Sequence, residues 1–110
     1  MRVKTVGDTA IITQEKQDTD LFIEAVKLDY GTLKDLHLIV DLSGFNQLKP
    51  SELSKFLSLS RTHKQASKSF VIACSGVDLD LIPDELIVVP SLIEAHDMVD
   101  MESIERDLGL

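Results

Sequence analysis

Three short apolar runs constrain this chain more than any other feature. They are His37-Leu38-Ile39-Val40-Asp41-Leu42, Ser69-Phe70-Val71-Ile72-Ala73-Cys74 and Leu86-Ile87-Val88-Val89. A strand with one wet face alternates apolar and polar residues, whereas a strand covered on both faces reads as a nearly continuous apolar run. The runs therefore predict buried strands, and the stretches between them have to supply the cover.

Those stretches carry helical spacing. Asp18 or Thr19 can cap a helix to about Asp29, with Leu21, Phe22, Ala25, Val26 and Leu28 as a broad apolar stripe and Gly31 placed to stop it. Ser51 reads as the N-cap of a second helix to about Lys64. Leu53, Phe56, Leu57 and Ser60 fall on its inner face, and Leu59 on an exposed flank with Lys55 and Thr62. Between the second and third runs, GVDLDLIPDE leaves room for little more than one helical turn.

Ser91 and Glu94 form a capping box at the start of the last helix. There Leu92, Ala95 and Val99 share one face, while Met101, Ile104 and Leu108 share another about 160° away. One straight helix cannot bury both against one sheet, so the pattern predicts two short helices joined near Asp100, the second closed by Gly109. At the other end, RVKTV and TAIIT flank Gly7-Asp8, a hairpin with a type II′ turn.

Buried strands alternating with helices give an α/β domain with a mixed sheet. The hairpin forms its antiparallel edge, and the helices pack mainly on one face. A chain of 110 residues is one such domain, residues 1–110, with an acidic helical extension at about 100–109. Folding at this size buries roughly two-thirds of the unfolded surface. One cysteine, Cys74, excludes an internal disulfide and reads as a small buried hydrophobe. No apolar run reaches the ~18–20 residues of a membrane span, and the N-terminus lacks a signal peptide's apolar centre. The expected location is the cytoplasm.

The net charge of −8 is unevenly placed: from Asp78 onward there are ten acidic residues and one basic residue, Arg106. Such a surface repels nucleic acid and anionic lipid and attracts basic surfaces, or serves only as a solvated face. The chain carries no HxH, HExxH, GxSxG, GxxxxGK[ST] or GxGxxG. His37, His63 and His96 stand apart in sequence, and DLDLIPDE lacks a calcium loop's central Gly and terminal Glu. The expectation is no catalysis, no metal and no cofactor. Asp41 ends the first buried run, where α/β sheets collect their sites, but a local role bonding the backbone of loop 42–45 is preferred.

The stretch IVDLSGFNQLKPSELSKFL, residues 39–57, resembles the central segment of STAS domains, the family that includes bacterial anti-sigma factor antagonists. There an apolar strand runs into DLSGV, and DSSGL follows at a helix start. Asp41, Leu42, Ser43 and Gly44 match the first motif, with Phe45 for Val; Leu48 and Leu53 match apolar positions around the second. The resemblance covers most of the chain, with the third family helix missing between Cys74 and Leu86.

In that family a serine of DSSG takes a phosphate from a kinase that is also the anti-sigma factor, and the phosphate abolishes binding. Here Lys49, Pro50, Ser51 and Glu52 replace DSSG, so Ser51 is the remaining phosphorylation candidate. Glu52 either imitates a permanent phosphate or favours the helix start. The resemblance thus implies a regulatory protein–protein interaction module with its phospho-switch lost or altered. Its partner would be a protein of the switch-kinase or anti-sigma class, and the chain itself a monomer or weak homodimer. The contact would use Asn46, Lys49, Glu52, Lys55, Leu59 and Thr62, beside the strand-end loop residues Asp41, Ser43 and Gly44. Two alternatives stand: a regulatory domain binding a nucleotide or small ligand near Ser51, and an accessory subunit of a larger enzyme held through Met101, Ile104 and Leu108.

Overall fold

The computed structural model describes residues 1–45 and 47–109. Asn46, one of the expected contact residues, lies outside them. The described residues form an α/β domain around a five-stranded mixed sheet. Strands β1 (Arg2–Val6) and β2 (Thr9–Thr13) make the hairpin. Gly7 alone takes a positive φ, +59°, in its turn, which suits the type II′ form. Strands β3 (His37–Asp41), β4 (Phe70–Ala73) and β5 (Ile87–Val89) then add in parallel, in chain order.

That order dictates where the cover goes. Parallel neighbours in one sheet are joined by right-handed crossovers, so connections that always step the same way across the sheet lie on one face. Helices α1 (Thr19–Leu28), α2 (Tyr30–Leu33), α3 (Pro50–Ser54) and α4 (Leu57–Gln65) do so. Phe22, Val26, Leu33, Leu53, Phe56 and Leu59 bury there against Ala10, Ile12, Leu38, Val40, Phe70 and Ile72. The opposite face is left to α5 (Leu92–Asp107), whose Ala95 and Val99 pack on Ile11, Ile39, Val71 and Ala73. β3 and β4 are buried along their whole length, as their apolar runs require, but β5, expected to be a third strand with two dry faces, is only half-buried, because it ends the sheet and pairs with β4 alone. The short link before β5 holds one 3₁₀ turn, Leu79–Leu81.

Four local expectations need correction. Helix α1 ends on Asp29, whose N–H meets the Ala25 carbonyl, and Gly31 sits inside α2 instead of stopping α1. Ser51 is not an N-cap: Lys49 holds that position and Pro50 the first helical one. Proline fits there because its missing N–H would have had no partner.

The helix expected over 51–64 is two. Lys55 and Phe56 donate to Glu52 and Leu53, three residues back, and Ser54 Oγ bonds the Pro50 carbonyl at 3.1 Å. Such a 3₁₀ stretch winds about 20° more per residue than an α-helix. This advances α4 enough to turn Leu59 and His63 inward, 6% and 0% exposed, and Leu57 partly outward. Leu59 is therefore core, not surface.

Finally, α5 does not break at Asp100; it runs unbroken for 16 residues. No Gly or Pro interrupts it, and one Asp costs a helix less than ~1 kcal/mol. Its second half is held to the sheet by polar contacts: Arg106 Nη2 donates to Ser69 Oγ at 3.0 Å, and Ser103 Oγ lies 3.4 Å from His37 Nε2. Met101, Ile104 and Leu108 are left in solvent. The two faces are incompatible with burial on one sheet, as the spacing says, and the helix resolves this by exposing one of them.

Candidate functional site

The carboxyl ends of the parallel strands carry the loops from which α1 and α3 start. Asp41 closes β3 with both carboxylate oxygens engaged. Ser43 donates its N–H (2.9 Å) and hydroxyl (2.6 Å) to Oδ1, and Thr13 Oγ1 lies 3.4 Å from Oδ2. The group is 7% exposed and holds the turn at Ser43 and Gly44 in place. That is an architectural role.

Beyond this turn, Gln47, Leu48, Lys49 and Glu52 meet Gln17, from the loop between β2 and α1, around a shallow cleft of about 260 Å³. Lys49 and Ser51 are exposed and Glu52 is half-buried. Lys55 reaches both Glu52 (3.2 Å) and Asp20 (3.3 Å), tying α3 to α1. The Thr19 hydroxyl and the Lys55 ammonium hold the Glu52 carboxyl below its ordinary range, so it stays ionised at neutral pH. Among the described residues, Lys49 has no ion pair and the Ser51 hydroxyl no hydrogen bond.

The expected contact residues thus divide. Lys49, Ser51, Glu52 and Lys55 cluster at the opening of α3. Thr62 lines a different groove, of about 180 Å³, with Lys27, Tyr30, Ser58 and the buried Leu59. Met101, Ile104 and Leu108 lie on the helix of the opposite face. Helix α3 has five residues, not the fourteen expected, and so offers a small-anion ligand a much weaker dipole.

Two histidine constellations escaped sequence reasoning. His63 is fully buried, with Nδ1 2.7 Å from the Tyr30 hydroxyl and Nε2 2.7 Å from the Leu36 carbonyl. A carbonyl only accepts, so Nε2 carries the hydrogen and Tyr30 donates to Nδ1. His37 accepts the Ser69 N–H on Nδ1 at 3.0 Å, while Asp8 Oδ2 (3.7 Å) and Ser103 Oγ (3.4 Å) both lie near Nε2.

An Asp, a His and a Ser are therefore gathered at the amino ends of β3 and β4 without forming a triad. A triad places the carboxylate on one ring nitrogen and the nucleophile on the other. Here both meet the same nitrogen, and a backbone N–H occupies the second. Burial lowers the pKa of both histidines. The only available sign of these roles was phase: His63 sits three residues after Ser60, on the face turned inward.

Cys74 is buried, and burial raises its thiol pKa, which suits packing and not nucleophilic attack. Among the described residues no group of three His, Cys, Asp or Glu could hold a metal ion, and no helix is long and apolar enough to cross a membrane. No family model matches the chain, and no curated protein matches it either.

Proposed function

We propose that this chain is a non-catalytic regulatory module that docks on another protein through the opening of α3, the role implied by its resemblance to STAS domains. The observation that carries this reading is Ser51. It is exposed, it does not cap α3, and its hydroxyl has no bond within the described fold. The exposed Lys49 stands two residues before it, and Lys49 and Glu52, on either side of Ser51 in the chain, line the cleft with Gln17. A side chain with no structural task, in the segment the family uses for contact, is free to serve a partner. The partner implied is a cytoplasmic protein of the switch-kinase or anti-sigma class.

Charge decides how such a contact would be regulated. A phosphate on Ser51 adds about −1.5 to −2 charge at neutral pH, beside an already ionised Glu52. Ser51→Glu approximates that change without touching the core. In quantitative affinity capture from native cells, the wild-type chain is expected to retain a protein that Ser51→Glu retains at least ~tenfold less. The two baits should melt within ~2 °C of one another, since exposed positions change stability little. Phosphopeptide mapping of the bait then separates a working switch, with phosphate on Ser51, from a docking surface that has lost it. Equal retention by both baits would remove α3 as the contact.

A further inference from the structure

The outer face of α5 is a second surface, independent of the opening of α3. Ile93, Met101, Ile104 and Leu108 are 76%, 49%, 58% and 68% exposed. At about 100° per residue they fall within an arc of about 80°, on the side away from Ala95 and Val99. Met101, Ile104 and Leu108 follow the 3-then-4 spacing by which a helix presents a seam to a partner helix.

The charges around that seam share one sign. Asp100 and Asp107 lie on one flank, Glu94 and Glu105 on the other, and Asp97 lies within the stripe; all five are exposed. Arg106, the one Lys or Arg of the helix, is turned to the sheet and bonded to Ser69. Glu105 and Asp107 also oppose the dipole at the helix C-terminus, where Arg106, on the inner face, is the one cation of the last turn. Two copies paired through this seam would set acidic flank against acidic flank, whether parallel or antiparallel. The flanks therefore select against self-association and for a partner of opposite charge.

We propose that the outer face of α5 binds a basic amphipathic helix of another protein, with apolar residues on the seam and Lys or Arg on its flanks.

The probe is a synthetic three-heptad peptide with Leu at the seam positions and Lys on the flanks, beside a twin carrying Glu for Lys. Titrated into the full chain, the Lys peptide is expected to bind one to one with a gain in helicity, and the Glu peptide not to bind. Ile104→Asp should weaken the Lys peptide at least ~tenfold while moving the thermal midpoint by no more than about 5 °C, because Ile104 is exposed and the cost is limited to helix propensity and the dipole. Reversing the flanks in Asp100→Lys/Glu105→Lys/Asp107→Lys should exchange the preference of the two peptides. An equal charge change elsewhere, Glu24→Lys/Asp80→Lys/Asp84→Lys, should leave the preference standing.

Three results would overturn the proposal. One is no saturable binding of the Lys peptide. Another is affinity that follows net charge wherever the reversals are placed. The third is sedimentation of the chain as a dimer that Ile104→Asp dissociates, which puts a second copy on this face.

Discussion

Leu59→Asp is expected to unfold most of the domain rather than to silence a surface. Leu59 is 6% exposed and packs in the cluster that holds α1, α3 and α4 to the sheet. Removing a buried leucine side chain costs about 2–5 kcal/mol, and a carboxylate left in its place must stay unpaired or take up a proton. Together these approach the ~5–15 kcal/mol that holds a domain of this kind folded. Urea unfolding followed by circular dichroism should show the midpoint collapsing towards zero denaturant. The same substitution on an exposed flank would leave it unchanged. A midpoint within error of wild type would mean that α4 is not rotated as described.

The second large effect is expected at His63. His63→Leu removes the acceptor of the Tyr30 hydroxyl and the donor to the Leu36 carbonyl, leaving two part-buried polar groups without those partners. Such a loss costs about 1–3 kcal/mol where water cannot replace the partner, and less where it can. The same site gives the domain a dependence on pH.

Burial is the main cause that lowers the His63 pKa, and the nearby charges of His37, Lys68 and Arg106 add to it, against the Leu36 bond that raises it. Burial likewise lowers His37, whose Nδ1 must stay unprotonated to accept the Ser69 N–H. In both cases the unfolded chain takes up a proton more readily than the folded one. Stability from the neutral rings is therefore complete above the ordinary histidine pKa of about 6.5. It falls as the pH drops below that, by up to about 1.4 kcal/mol per pH unit for each histidine. Unfolding free energies between pH 7.5 and 5 should show this decline, and His63→Gln should make it shallower. A decline unchanged in His63→Gln would assign it to other groups.

The sheet was legible because its signal is local. A short run such as Leu38-Ile39-Val40, with β-branched residues and a turn signal after it, reads as a strand with two dry faces, and the observed sheet gives it two. Helix ends were legible where a side chain announces them, as at Asp18 and Ser91, whose oxygens accept from Leu21 and Glu94 N–H. Ser51 was misread although Pro50 held the answer, since proline's preference for the first helical position puts the cap at Lys49. The break at Lys55–Phe56 had no such marker. It follows from how α3 and α4 must turn to pack on one sheet, and it moves Leu59 from flank to core.

Helix α5 failed for a related reason. The expectation assumed that apolar faces seek the sheet, but its second half docks through Ser103 and Arg106 on His37 and Ser69, which are 66 and 37 residues away in the chain. At the candidate site, Lys49, Ser51 and Glu52 were readable as the strand-to-helix loop. Gln17, which completes the cleft, comes from another loop, and only the parallel pairing of β2 with β3 brings it there.

The most direct test is a hydrogen-exchange footprint of the chain with and without the protein that it captures from native cells. Docking through the opening of α3 predicts slowed exchange across residues 47–55 and in the β2–α1 loop around Gln17, with α4 and β1 unchanged. Slowed exchange confined to other segments, with residues 47–55 as fast in the complex as in the free chain, would contradict it.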